Sequence, residues 1–299
     1  MSRRGCLKVT LYALLTTIVL VVLLAFGALY TQVIYLTTPA RNRDVGTPVG
    51  LSYEDVTLTT ADGLKISGWY IPGTRPEAVV LVHGIHANRA YLLPQAGILS
   101  EAGYHLLLID LRGHGNSEGE LMTYGYNEAL DVGSAVDYLL VLPEVEQVAA
   151  LGHSLGAAAV VRAAATDERV KAIVIQSTYS SLPQAVEDSF ETYSVFPRWP
   201  FAPLIIAMAE FRTGLKIGQV NSSYDLATMP ARPVFIVHSA DDNVFPAHHA
   251  QQMYEAASEP KELWIVEGLP HINPISGNEA AYEEKLLPFL DAAFSRQTK

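Results

Sequence analysis

The chain has 299 residues, of which 49% are apolar and 17% charged, and its formal net charge is −11. That apolar content excludes intrinsic disorder, and the acidic balance argues against a nucleic-acid binder, which needs clustered positive charge to meet phosphates. The length allows one large domain or two small ones. Cys6 is the single cysteine, so no intramolecular disulfide can form, and no Cys/His cluster has the spacing of a structural zinc site.

Charge is unevenly distributed. No charged residue occurs from Val9 through Ala40, and the stretch LYALLTTIVLVVLLAFGALY within it meets the requirement of about 20 apolar residues for crossing a bilayer core of about 30 Å. Arg3, Arg4 and Lys8 precede it. The expectation is a cytoplasmic N-terminus over 1–8, one transmembrane anchor over 9–36, a linker over 37–49 and a soluble domain over 50–299 on the outer side. Arg41 and Arg43 follow the apolar run, which keeps the charge bias modest. The rival expectation is a cleaved signal peptide and secretion, with Ala25-Phe26-Gly27 as the processing site. The apolar region is longer than the about 7–15 residues usual for such a peptide. Cys6 lies before the apolar run and is read as a juxtamembrane thiol without a role. Beyond Ala40 lie all 31 acidic but only 17 of the 20 basic side chains, a net −14 that reads as a solvated acidic surface.

After the linker, alternation in Val56–Thr60 and Leu64–Ile71 around Ala61-Asp62-Gly63 predicts an antiparallel hairpin. Short continuous apolar runs follow at 78–84, 105–110, 147–152, 171–177, 233–239 and 262–268. Runs of this kind fit strands buried on both faces. Between them Tyr91–Ala102, Asn127–Leu142, Leu155–Ala165 and Ala247–Ala257 have helical length and composition, and Asn278–Ser295 supplies a closing helix. The alternation predicts an α/β sheet, mostly parallel, with helices on both faces. The interval 180–230 breaks the rhythm and carries FETYSVFPRWPFAP. It is too long for a structureless loop, and a helical lid is expected there. Its apolar run Phe201–Ala209 is too short to span a bilayer but long enough for shallow membrane contact.

Gly152-His153-Ser154-Leu155-Gly156 follows the strand VAAL and opens the helix GAAAVVRAAA. Strand, turn and helix in that order describe a nucleophile elbow, in which a strained turn lifts the serine Oγ above the sheet. The helix N-terminus aims N–H groups at developing negative charge. A serine hydroxyl needs a base, itself oriented by a carboxylate. In such a fold the order is Ser, then Asp or Glu, then His, on loops that follow strands. PVFIV runs into His238-Ser239-Ala240-Asp241-Asp242-Asn243-Val244-Phe245-Pro246, and ELWIVEG into Leu269-Pro270-His271, so Asp242 and His271 fall at the required positions. Among the other histidines, His105 sits in a strand, His114 in an RGHG turn, and His153 and His238 flank the elbow and the acid loop. His248 and His249 begin a helix and are expected to be solvated.

On these residues the chain resembles the α/β-hydrolase superfamily, in particular its lid-bearing esterase-like and serine-aminopeptidase-like branches, including membrane-anchored ones. The resemblance covers about residues 50–295. It includes His83-Gly84, Asp110 to Ser117, GHSLG, and HSADDNVFP with its late histidine. The family pattern HGxxDxxVP implies Asp242 as the acid, with Asp241 as runner-up; Ser239 stands where glycine is common. The oxyanion hole is expected from the Leu155 N–H, after the nucleophile. The resemblance implies the Ile85 N–H as the second donor, with His86 and Asn88 nearby.

The expected fold is thus an α/β-hydrolase fold with a helical lid, preceded by one transmembrane helix. The expected activity is a serine hydrolase that cleaves a carboxylic ester through Ser154, His271 and Asp242 and an acyl-enzyme. The expected partners are a small-molecule ester or amide and the membrane. No cofactor, metal or nucleic acid is implied, and nothing specifies an oligomeric state. The runner-up is an aminopeptidase-like amide hydrolase, for which Glu187, Asp188, Glu191 or Glu210 would meet a free amine. A catalytically inactive binding protein on the same fold is the third reading.

Overall fold

The computed structural model describes residues 3–271 and 275–296. Met1 and Ser2 of the expected N-terminal segment lie outside the described residues. The chain begins with one continuous helix, α1 (Arg3–Thr37), of 35 residues. From Thr10 to Ala28 every residue of α1 is exposed, whereas Leu29, Gln32, Val33 and Thr37 are buried. The exposed stretch is about 28 Å long at 1.5 Å per residue, close to the bilayer core. One apolar helix, Thr10–Thr37, is thus a candidate span among the described residues.

The hairpin forms from β1 (Glu54–Thr59) and β2 (Lys65–Ile71), paired antiparallel with Thr57 opposite Ser67. Gly63 supplies the positive φ of 88° that closes the turn. There follow β3 (Glu77–Val82), a 3-10 turn (Arg89–Leu92), α2 (Leu93–Glu101), β4 (His105–Ile109) and α3 (Glu128–Leu140). Next come β5 (Gln147–His153), α4 (Leu155–Thr166) and β6 (Val170–Gln176). The expected helix Tyr91–Ala102 is therefore split. Asn88 Oδ1 accepts the Ala90 N–H to cap the 3-10 turn, and Pro94, which has no N–H to donate, stands in the first turn of α2.

Between β6 and β7 (Val234–Ser239) lie α5 (Leu182–Tyr193), α6 (Arg198–Thr213) and α7 (Ser222–Thr228). The chain closes with α8 (His248–Ala256), β8 (Lys261–Val266) and α9 (Glu279–Ser295). The interval 180–230 is not all cover. Leu226 of α7 and Met229 just after it are buried in the main core, so only α5 and α6 roof the sheet.

The strand order is β1-β2-β4-β3-β5-β6-β7-β8. β2 runs antiparallel to β4, and the strands from β4 through β8 are mutually parallel. Apolar runs without alternation follow from burial on both faces. Val80, Val82, Ile173, Ile175 and Ile236 face one core, with α3, α4 and α8. Val79, Leu81, Val174, Phe235 and Val237 face the other, with α2 and α9. The expected fold class is the one observed.

Candidate active site

The GHSLG motif sits at the β5–α4 junction, where Ser154 takes φ 52° and ψ −116°. A non-glycine residue rarely adopts this conformation, and neighbouring backbone must hold it there. The flanking glycines permit that approach. A Cβ on Gly152 would stand 2.4 Å from the Gly156 carbonyl oxygen, and one on Gly156 would stand 2.2 Å from that of Val82. Ser154 N–H donates to the Gln176 carbonyl at 2.8 Å, which fixes the turn against β6.

Ser154 Oγ lies 3.1 Å from His271 Nε2, and His271 Nδ1 lies 2.7 Å from Asp242 Oδ2. Asp242 Oδ1 accepts the backbone N–H groups of Val244 (2.9 Å) and Phe245 (2.8 Å). Burial works to raise the Asp242 pKa, but the bonds from His271 and the two amides outweigh it and hold the carboxyl below the ordinary value. Asp241 turns the other way and accepts the Gly268 N–H at 2.8 Å. The His271 N–H donates to Asn243 Oδ1 at 3.2 Å, so the acid loop also seats the backbone of the histidine.

Ile85 and Leu155 line the same cleft as Ser154. Leu155 is the first residue of α4, so its N–H belongs to the set without an intrahelical acceptor. His83 shapes the Ile85 loop from below. Its Nε2 accepts the Leu111 N–H (3.1 Å), its Nδ1–H donates to the Gly84 carbonyl (2.7 Å), and burial lowers its pKa to about 4. Asn88 is structural: its Nδ2 donates to the Asp44 carbonyl at 3.1 Å. His86 lines the cleft, and its Nδ1 accepts the Ala40 N–H at 3.0 Å.

The remaining histidines have structural partners. His105 Nδ1 meets the Tyr70 hydroxyl at 2.7 Å and accepts the Gly73 N–H. The buried His114 ring packs on that of His83, 5.1 Å away. His238 Nε2–H donates to the Phe245 carbonyl at 2.7 Å, and the His153 ring lies 5.7 Å from His271. The expectation for His249 needs correction, because it is buried rather than solvated. The step of about 100° between successive residues of α8 turns His249 inward with Ala250 and leaves His248 outward.

Asp188 of α5 reaches both of these histidines, with Oδ2 3.0 Å from His248 Nε2 and 3.2 Å from His249 Nε2. Among the described residues these three have donor atoms within 4.8 Å of one another, the spacing of metal ligands. However, His249 Nδ1 accepts the Ser180 N–H at 3.2 Å, which leaves the proton of the neutral ring on Nε2, facing Asp188. That tautomer suits a clamp between lid and α8 better than a ligated cation.

The cleft is walled chiefly by apolar side chains, among them Met122, Leu182, Val186, Phe190, Ile205 and Phe245. Tyr35, Leu36 and Thr37, the last turn of α1, complete the wall. No pattern in the sequence marks these three as site residues. Tyr124 donates its hydroxyl to the Leu36 carbonyl at 2.6 Å, and Arg212 of α6 donates to Thr37 Oγ1 (2.9 Å) and Thr38 Oγ1 (3.1 Å).

A family model for the alpha/beta hydrolase fold matches residues 77–201. The uncharacterised protein YfhR of Salmonella typhi is 28% identical over 268 residues, covering 83% of this chain and 85% of its own. YqkD of Bacillus subtilis, also uncharacterised, is 25% identical over 90% of this chain and 97% of its own. Among solved structures, the Pyrococcus furiosus esterase Pf2001 superposes with a TM-score of 0.73 at 25% identity, over 86% of this chain and 97% of that one. Strand order, elbow and likeness define an α/β-hydrolase fold. Together they support a member of the α/β-hydrolase superfamily, and with it a hydrolase.

Proposed function

We propose that the chain is a membrane-anchored serine hydrolase that cleaves carboxylic esters through an acyl-enzyme. The observation that carries this reading is the relay from Ser154 Oγ through His271 to Asp242, at 3.1 and 2.7 Å, opening into an apolar cleft. His271 Nε2 takes the hydroxyl proton as Ser154 Oγ attacks the ester carbonyl. Asp242 accepts the Nδ1–H, which turns the Nε2 lone pair toward the serine and stabilises the imidazolium that forms. The N–H groups of Ile85 and Leu155 receive the oxyanion. His271 then returns the proton to the leaving alkoxide. Water, deprotonated by the same histidine, attacks the acyl-serine and releases the carboxylic acid.

An ester fits better than an aminoacyl amide. Of the four candidate acids for a free amine, Glu210 lines the cleft, but it is occupied by Lys216 Nζ at 2.8 Å and the Ile217 N–H at 2.9 Å. Glu187 pairs with Arg198, Asp188 meets the α8 histidines, and Glu191 is exposed. Retention of α1 as an anchor is favoured because Ala25-Phe26-Gly27 falls inside a continuous helix whose last turns bind the lid. The basic residues ahead of α1 favour a catalytic domain on the outer side.

Labelling the full chain with a fluorophosphonate tests the mechanism: wild type is labelled and Ser154→Ala is not. Equal labelling of the two overturns it, and would leave the inactive binding protein as the better reading. A panel of p-nitrophenyl esters against aminoacyl anilides tests the substrate, and turnover of anilides alone overturns the ester reading.

A further inference from the structure

The lid helix α6 is apolar on both sides. Its inner face, with Ala202, Ile205, Ile206 and Ala209, lines the cleft or packs on α1. Its outer face carries Pro200, Pro203, Leu204, Ala207 and Phe211, at the three- and four-residue spacing of a single stripe, and all five are exposed. Trp199, at the N-terminal end of α6, is 79% exposed and Phe211, near its C-terminal end, is 92% exposed. From Pro200 to Ala209 the helix is apolar on both faces with one of them uncovered by protein, which matches a helix lying at a lipid boundary.

Its position says what covers it. Leu29 and Val33 of α1 pack with Phe190, Ala202 and Ile205, and Gln32 Nε2 donates to the Tyr193 carbonyl at 2.6 Å. These contacts begin where the exposed, bilayer-length part of α1 ends at Ala28. The lid is therefore held at the level where α1 would leave the hydrocarbon. Tryptophan favours that interfacial level. Phe190 and Ile205 belong both to the packing against α1 and to the wall of the cleft, which the last turn of α1 itself completes, so the cleft lies directly against this helix.

We infer that the substrate is a bilayer-resident lipid ester, with α6 seated in the interface and the acyl chain passing from the leaflet into the cleft beside α1. This rests on the esterase reading and names its substrate class. The chemistry is the hydrolysis already written: water adds across the acyl–oxygen bond, giving a fatty acid and the lipid alcohol.

The test uses the full chain in phosphatidylcholine vesicles containing 1,2-dioleoylglycerol, with p-nitrophenyl butyrate as a soluble ester and fluorophosphonate labelling of Ser154 run alongside. The wild type is expected to release oleate from the vesicles. Leu204→Glu combined with Phe211→Glu, which charges the outer stripe, is expected to lower that release about tenfold, while butyrate hydrolysis and labelling change less than about twofold. Release that is insensitive to the double substitution overturns the inference. So does turnover of butyrate without any release of oleate, an outcome that leaves the esterase reading standing. Cleavage of a vesicle-bound palmitoyl-thioester peptide in place of the glyceride overturns the lipid assignment in favour of acylated proteins. Absence of both labelling and butyrate turnover removes the esterase reading and the inference with it.

Discussion

The Ala40 N–H donates to His86 Nδ1 at 3.0 Å, across 46 residues of sequence. The segment leaving α1 is thereby fastened to the loop that carries Ile85. His86 itself sits at φ 58°, a backbone state that external contacts must hold. An oxyanion donor works only while its N–H stays aimed at the developing charge.

Loss of this fastening is expected to act on the chemical step. His86→Ala should lower kcat for p-nitrophenyl butyrate by about tenfold or more, since small displacements of catalytic groups are costly. KM should change little. A raised KM with unchanged kcat would mean that His86 touches substrate rather than holding the loop.

The neighbouring aspartates are expected to separate sharply. Asp242→Asn should cost about 10⁴-fold in kcat, because the amide favours the wrong imidazole tautomer. Asp241→Asn, which loses only its bond to the Gly268 N–H, should stay within about tenfold of wild type. Steady-state kinetics on the purified variants decide this, and equal losses would reject the assignment of roles.

Gly156→Ala should fail to accumulate as folded protein. The added Cβ would meet the Val82 carbonyl oxygen at 2.2 Å and that of His83 at 2.4 Å, and neither is a flexible side-chain end. Moving α4 off β3 should cost about 3 kcal/mol or more. Soluble yield and thermal unfolding measure it; a Tm within a few degrees of wild type would show that the elbow yields more easily.

Acid should destabilise the fold through its buried histidines. Burial lowers the pKa of His83 and of His249 to about 4, and of His238 in the same direction, from an ordinary value of 6.5. A histidine with a depressed folded pKa stabilises fully above 6.5. Below that the unfolded chain binds protons that the folded chain refuses, and stability falls until the folded values are reached. Each such histidine contributes a slope of up to about 1.4 kcal/mol per pH unit across that window. Thermal unfolding of the full chain in detergent should show Tm dropping between pH 6.5 and 4.5. A flat profile there would mean that these rings are solvated.

The sheet was legible because its signal is local. Runs such as AVVLV and VFIV are apolar on successive residues, and this is what burial on both faces of a parallel strand demands. The elbow was legible for the same reason, since two glycines and a serine between a strand and a small-residue helix carry their own geometry. The split of the helix expected at Tyr91 also had a local cause, in the Asn88 cap and Pro94, which the helical composition of the stretch obscured.

Other features have no local signature. Whether a residue at the head of α8 is buried depends on what packs above it, and Asp188, 61 residues earlier, decides that for His249. Which of two adjacent aspartates meets His271 depends on the turn of the loop, where two amides draw Asp242 inward. The last turn of α1 reads as the end of a membrane helix, and only folding brings Tyr35, Leu36 and Thr37 against the lid as a wall of the cleft. The strands, the elbow and the long apolar helix could be read from the chain directly, because each depends only on the composition and order of neighbouring residues. What surrounds Ser154 is decided by packing rather than local preference, because His271, 117 residues further on, and the last turn of α1 meet at this serine only once the chain has folded.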